Sequence, residues 1–264
     1  MRLLNYIEDL ESKGKCYFLK SEALIALNCT KKALDEAIKK LSIKQRIVTI
    51  KNGFIIIVPI NYRSLGVLPA DWFIKPLMEY LNLSYYIGLL TAASFYGAAH
   101  QKPQIFQVML GTALRPITKG KLKICFYENK NINIIPTRDL QVSTGYAKVA
   151  TPEVVAIDLV TYPRVCGYLS NVATVLSELH EVIDPDQLLQ LALSNRYELS
   201  NFQRLGYLLS LSDVEGADKV DKLKELIKER SPRFVPLQPG QAITKTMKDH
   251  TWRIFINEEI EVDL

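Results

Sequence analysis

The sequence predicts an α+β protein in two parts: a small N-terminal module, then a mixed α/β body with a largely antiparallel sheet and flanking helices. Three observations predict it. Apolar residues recur at helical spacing three times in the first 43 residues, after which two β-rich runs meet across Asn52-Gly53. Beyond residue 104 the apolar period becomes two, and from Pro152 it is helical again. Charge is also segregated: residues 1–51 hold 11 Lys and Arg against 6 Asp and Glu, whereas residues 52–264 hold 22 of each. The formal net charge of +5 therefore belongs to the first fifth of a 264-residue chain, the asymmetry of a small anion-binding module on a neutral body.

The elements follow in order. Leu3, Leu4, Ile7 and Leu10 define an amphipathic first helix, which Gly14 ends. Ser21 is the expected N-cap of a short second helix over residues 22–27, and Thr30 that of a third, Lys31–Ile43. The third carries a stripe of Leu34, Ile38 and Leu41 opposite a face of Lys31, Lys32, Asp35, Glu36, Lys39 and Lys40. Residues 46–50 and 54–58 read as strands, and Asn-Gly between them is the strongest short hairpin signal. Three helices and a hairpin in under 60 residues are the layout of a winged helix-turn-helix, here placed over residues 1–60. A body follows over 70–264, divisible into lobes 70–150 and 151–264, with the boundary in residues 59–69.

In the body, Ile74, Leu77, Met78 and Leu81 give one helix and residues 86–98 a second, largely buried one. Strands are expected over 105–110, 122–127, 132–135 and 140–143. Pro152 suits a first helical position with Thr151 as N-cap. Later helices are expected near 171–182, 185–194, 201–211 and 218–229, then a proline-rich loop over 231–240 and a last strand over 252–256. Residues 80–101 lack Asp, Glu, Lys and Arg, but Asn82, Ser84, Thr91, Ser94, Gly97 and His100 dilute them, so a buried helix is expected rather than a membrane span. The N-terminus lacks the apolar run of a signal peptide. Four widely spaced cysteines (Cys16, Cys29, Cys125, Cys166) read as reduced, buried thiols of a cytoplasmic protein.

A winged helix points to double-stranded DNA. Its third helix would enter the major groove by its N-terminal end, with the wing along the backbone. Thr30, Lys31, Lys32, Asp35, Lys39 and Lys40 then fall on the reading helix, and Lys44, Arg46, Lys51 and Asn52 surround the wing. Lysines neutralise phosphates, while Asp can accept from cytosine N4 and Lys can donate to guanine. The competing reading is a solvated face, since Asp35–Lys39 and Glu36–Lys40 are favourable i,i+4 pairs. No nucleophile elbow, P-loop, dinucleotide fingerprint or H-E-x-x-H is present, and His100, His180 and His250 make no local metal pair. No catalytic residue, metal or cofactor is expected. Arg204, inside an apolar helix, must pair or snorkel, and a structural role is favoured over a substrate-binding one.

Several stretches in order suggest a family: Lys51-Asn-Gly-Phe54 at the wing, Ser84-Tyr-Tyr-Ile-Gly-Leu-Leu-Thr-Ala-Ala-Ser-Phe-Tyr-Gly97, Gly145-Tyr-Ala-Lys-Val-Ala-Thr-Pro-Glu-Val-Val-Ala-Ile-Asp158, Gln203-Arg-Leu-Gly-Tyr-Leu-Leu209 and Trp252-Arg-Ile-Phe-Ile-Asn257. With them the chain resembles the AbiEi family of abortive-infection antitoxins from bacterial type IV toxin–antitoxin systems. The resemblance implies a winged helix that binds inverted repeats in its own promoter and represses it. It also implies a C-terminal part that counteracts a nucleotidyltransferase-like toxin without a stable complex. The sequence departs from the family pattern in two places: residues 42–46 lack the usual glycine before the wing, and Asp35 and Glu36 sit side by side on the reading helix. Two other classes stay open: a winged-helix protein whose body is a nucleotide- or nucleic-acid-processing enzyme, and a ligand-responsive transcription regulator.

Overall fold

Leu3, Ile7 and Leu10 lie buried along one face of the first helix, α1 (Leu3–Ser12). They meet Phe18, Ala23, Leu34, Ile47, Ile55 and Ile57 in the core of the N-terminal module. Around that core run β1 (Tyr17–Leu19), α2 (Lys20–Leu27), α3 (Lys31–Ile43), β2 (Ile47–Lys51) and β3 (Phe54–Ile57). The strands form a three-stranded sheet in the order β1-β3-β2, both pairs antiparallel, with a bulge between Thr49 and Lys51. This order of elements and sheet is a winged helix-turn-helix. The structure, a computed structural model, describes residues 2–98, 103–211, 220–244 and 246–261; His100 and the start of the helix expected over 218–229 fall outside them.

Ser21 is not the cap of the second helix. Strand β1 runs directly into α2, so the helix begins two residues earlier, at Lys20 with Leu19 as N-cap. The Glu22 carboxylate then accepts from the Leu19 N–H at 3.3 Å, which is one half of a capping box. Thr30 does cap α3, its hydroxyl accepting from the Ala33 N–H at 3.3 Å.

The chain divides into two compact units. The first comprises Met1–Tyr86, Gln104–Ile132 and Asp139–Lys148, the second Ile87–Pro103, Asn133–Arg138 and Val149–Leu264. After the winged helix come α4 (Ile74–Leu81), β4 (Tyr85–Ile87), α5 (Leu89–Phe95), β5 (Phe106–Leu110), β6 (Ile117–Lys119), β7 (Leu122–Glu128), β8 (Thr137–Val142) and β9 (Gly145–Ala150). Six of these strands form a sheet in the order β6-β7-β5-β4-β9-β8. It is mixed, with β6/β7 antiparallel but β5/β7 and β4/β9 parallel, against the largely antiparallel sheet expected. The reason is topological: the β6–β7 hairpin folds back so that β7, not its sequence neighbour β6, lies beside β5.

Two expectations change locally. Residues 86–98 do not make one helix, because Ile87 pairs in parallel with Val149 and only from Leu89 does the chain become helical. Residues 132–135 are not a strand. The Asn129 side chain accepts from the Asn131 N–H at 2.9 Å and its carbonyl from the Ile132 N–H, curling the chain into a 3-10 turn at Ile132–Ile134.

The second unit is organised by α6 (Pro152–Thr161), whose residues from Pro152 to Val160 are all buried. Helices α5, α7 (Tyr168–Leu179), α8 (Pro185–Leu193) and α9 (Leu199–Leu209) pack around it, and α10 (Asp221–Arg230) packs on α8 and α9. The two buried acids of α6 are both used. Glu153 accepts from the Asp184 N–H at 2.9 Å, and Asp158 from the Tyr197 hydroxyl at 2.8 Å. The proline-rich loop contains a two-residue strand, β10 (Val235–Pro236), at the edge of a small sheet with β11 (Met247–Asp249) and β12 (Ile254–Ile256) in the order β10-β12-β11. Among the described residues no helix is long and apolar enough to cross a membrane, and all four cysteines are free thiols.

Candidate nucleic-acid interface

The geometry of α3 follows from its two faces. Leu34 is 1% exposed in the core, and Ala37, Ile38 and Leu41 pack against the same cluster. That anchoring turns Lys31, Lys32, Asp35, Glu36 and Lys39 outward around one shallow surface depression. Lys40 in the last turn and Lys44 at the C-cap are also exposed. Among the described residues, none of the ammonium groups of Lys31, Lys32, Lys39, Lys40 and Lys44 has an ion-pair partner within 4.0 Å. The i,i+4 pairs of the competing reading, Asp35–Lys39 and Glu36–Lys40, are therefore not formed among the described residues. Asp35 is bound instead by Lys20, from the first turn of α2.

The remaining candidates sit in more constrained places. Thr30 spends its hydroxyl on the helix cap. The Arg46 guanidinium reaches back to Glu11 of α1 at 3.0 Å, with only 17% and 28% of the two side chains exposed. At the wing, Lys51 is half-buried and Asn52 exposed. The Asn52 carbonyl accepts from the Tyr80 hydroxyl of α4 at 2.7 Å, and Phe54 packs between Tyr17 and Tyr80, with centroids 5.0 and 5.6 Å away. The wing tip is thus fastened to α4 rather than projecting freely. Gly53 is required there twice over: its φ is +88°, and a Cβ would lie 2.4 Å from the Tyr80 hydroxyl oxygen.

The missing glycine before the wing also has a structural answer. Gln45 takes its place with φ +54°, while the Arg46 N–H bonds to the Leu41 carbonyl and the Gln45 N–H to that of Ser42. That is the helix-ending pattern glycine usually serves. Lys20, Glu11 and Tyr80 are the residues that sequence reasoning missed. Each acts through a partner distant in sequence, and no local spacing announces such a pairing.

Among the described residues, the polar residues of the body singled out from the sequence are engaged within the fold. Arg204, 8% exposed, donates from Nε to the Pro236 carbonyl and from Nη1 to Asn201, each at 3.0 Å, tying α9 to β10. His180 bonds through Nδ1 with the Ser177 carbonyl at 2.6 Å, and His250 lies edge-on to Phe234. Among the described residues no three His, Cys, Asp or Glu side chains are placed to hold a metal ion.

Comparison with known proteins bears on the body. The family described as AbiEi antitoxin C-terminal domain matches residues 86–211. The fold is similar to the crystal structure of the RV2827C protein from Mycobacterium tuberculosis, with TM-score 0.65, 94% of this chain and 89% of that one covered, and 14% identity. At that identity the likeness is one of fold. An antigenic nucleotidyltransferase-like protein from Paracoccidioides brasiliensis aligns with TM-score 0.32 and 8% identity over 61% of this chain and 87% of that one, a likeness too low to carry an argument. No curated protein sequence matches. Residues 86–211 thus carry the pattern of the AbiEi antitoxin C-terminal domain, the family to which the order of the motifs points.

Proposed function

We propose that this antitoxin is also a DNA-binding autorepressor. Its winged helix, residues 1–60, binds double-stranded DNA at promoter inverted repeats. Its body, residues 70–264, counteracts a nucleotidyltransferase-like toxin of a type IV system in the cytoplasm, with no catalytic step of its own. The observation that carries the DNA half is the exposed surface of α3 and its C-cap, where Lys31, Lys32, Lys39, Lys40 and Lys44 have no ion-pair partner among the described residues, on a helix capped by Thr30 and anchored by Leu34. Such a face is complementary to phosphates at the mouth of a major groove. The toxin half rests on the antitoxin domain over residues 86–211.

Both halves have direct tests. The purified chain should bind a duplex from upstream of its own reading frame, with affinity falling a few hundred-fold (about 10² to 10³) between 50 and 200 mM salt if about five phosphates are neutralised. Absence of a shift, or affinity indifferent to salt, sinks the DNA half. Co-expression with a nucleotidyltransferase encoded beside it should restore growth. Growth arrest that persists sinks the toxin half.

A further inference from the structure

We infer that Lys20 is a positioning residue for base readout, holding Asp35 so that one carboxylate oxygen is neutralised and the other is presented to a cytosine. This inference rests on the DNA-binding reading above. Three observations carry it. The Lys20 ammonium pairs with Oδ1 of Asp35, with 19% of the lysine side chain exposed against 49% of the aspartate. The lysine thus lies beneath and the acid faces out. The Lys20 backbone is fixed as well, since its N–H donates to the Gly53 carbonyl at the wing turn at 2.9 Å. Finally, Asp35 stands in the same depression as Lys31, Lys32, Glu36 and Lys39, the surface a duplex would cover.

An isolated aspartate there would repel phosphates and work against every neighbouring lysine. Pairing with a cation from a different helix removes that repulsion without consuming one of the outward lysines. A carboxylate has two oxygens and about four lone-pair sites. With Oδ1 on Lys20, Oδ2 retains capacity to accept from the N4 amino group of cytosine, the base contact suited to an acid. The resulting division of labour is that the α3 lysines set affinity while the Lys20–Asp35 pair sets preference at one base pair.

The test is selection of bound duplexes from a random-sequence pool by the full-length chain and four variants: Lys20→Met, Lys20→Arg, Asp35→Asn and the double variant Lys20→Met/Asp35→Asn. The wild-type chain should select a position fixed as C·G, where changing cytosine to thymine weakens binding about tenfold. Asp35→Asn should lose that preference and little else. Lys20→Met should weaken binding to every duplex several-fold and blur the preference. The double variant should regain general affinity but not preference, and Lys20→Arg should keep both. Wild-type preference and affinity in Lys20→Met, or no recovery in the double variant, overturns the inference while the DNA reading stands. Failure of the wild-type chain to bind any duplex overturns both.

Discussion

Gly206 lies on α9 against the indole of Trp252, so close that a Cβ would sit 2.1 Å from Cζ3 and 2.4 Å from Cε3 and Cη2. Trp252 is 2% exposed and donates from Nε1 to the Ser210 hydroxyl at 3.2 Å, so the ring is pinned on the same helix it packs against. Two effects compete at this position. Alanine in mid-helix gains about 1 kcal/mol over glycine by propensity. Overpacking a filled core costs about 1–3 kcal/mol, and more where no side chain can yield. A rigid buried ring cannot yield, so packing wins. Gly206→Ala is expected to lower unfolding stability by about 2 kcal/mol or more, measured by denaturant titration followed through tryptophan fluorescence. A rise in stability would show that the ring moves. The stretch from Gln203 to Leu209 and that around Trp252 are both visible as motifs in the sequence. That a glycine in one exists to admit the ring of the other is a tertiary fact with no local signature.

Elements show a similar division between what local pattern reveals and what partners impose. Helix α3 was readable because three signals agree: a capping threonine, a stripe at 3.6-residue period and charge on the opposite face. The hairpin was readable from its Asn-Gly turn. Strands β1, β4 and β6, three residues each, were not, since so short a run has no period to detect and is a strand only because a neighbour supplies its hydrogen bonds. The candidate interface divides in the same way. Lys31, Lys32 and Lys39 were legible as an exposed basic face, whereas the roles of Arg46 and Asn52 depend on Glu11 and Tyr80, which no spacing connects to them. The wing is the consequential case. A free wing would be a flexible arm, but the Tyr80 hydroxyl bond and the packing of Phe54 between two tyrosines hold this one down. Tyr80→Phe removes the hydroxyl and leaves the ring. It should cost about 1 kcal/mol of stability, the net worth of one hydrogen bond, and speed amide exchange at the wing relative to α3. Equal exchange in the variant and the parent would mean the turn holds itself.

At the scale of the whole chain, the distribution of charge makes a quantitative claim. Three of the cations in residues 1–51 are committed to acids of the same segment: Lys13 to Asp9, Lys20 to Asp35 and Arg46 to Glu11. These pairs cancel and leave the excess of five untouched, much of it on the exposed lysines of α3 and its C-cap. Residues 52–264, with 22 charges of each sign, contribute no net attraction. If the chain binds duplex DNA as proposed, counterion release assigns the salt dependence of that binding to the N-terminal module. Each phosphate contact contributes about 0.9 to the slope of log affinity against log salt. Replacing Lys31, Lys32 and Lys39 together with alanine should lower that slope by about 2.7 and weaken binding to all sequences alike. Replacing Lys121, Lys224 and Lys228, equally exposed lysines of the balanced remainder, removes the same formal charge and should leave the slope unchanged. The two triple variants separate a local electrostatic contact from a global one, because net charge is identical in both. If they lower the slope equally, the duplex is held by the surface of the body as much as by α3, and the winged helix is not the DNA-binding part of this protein.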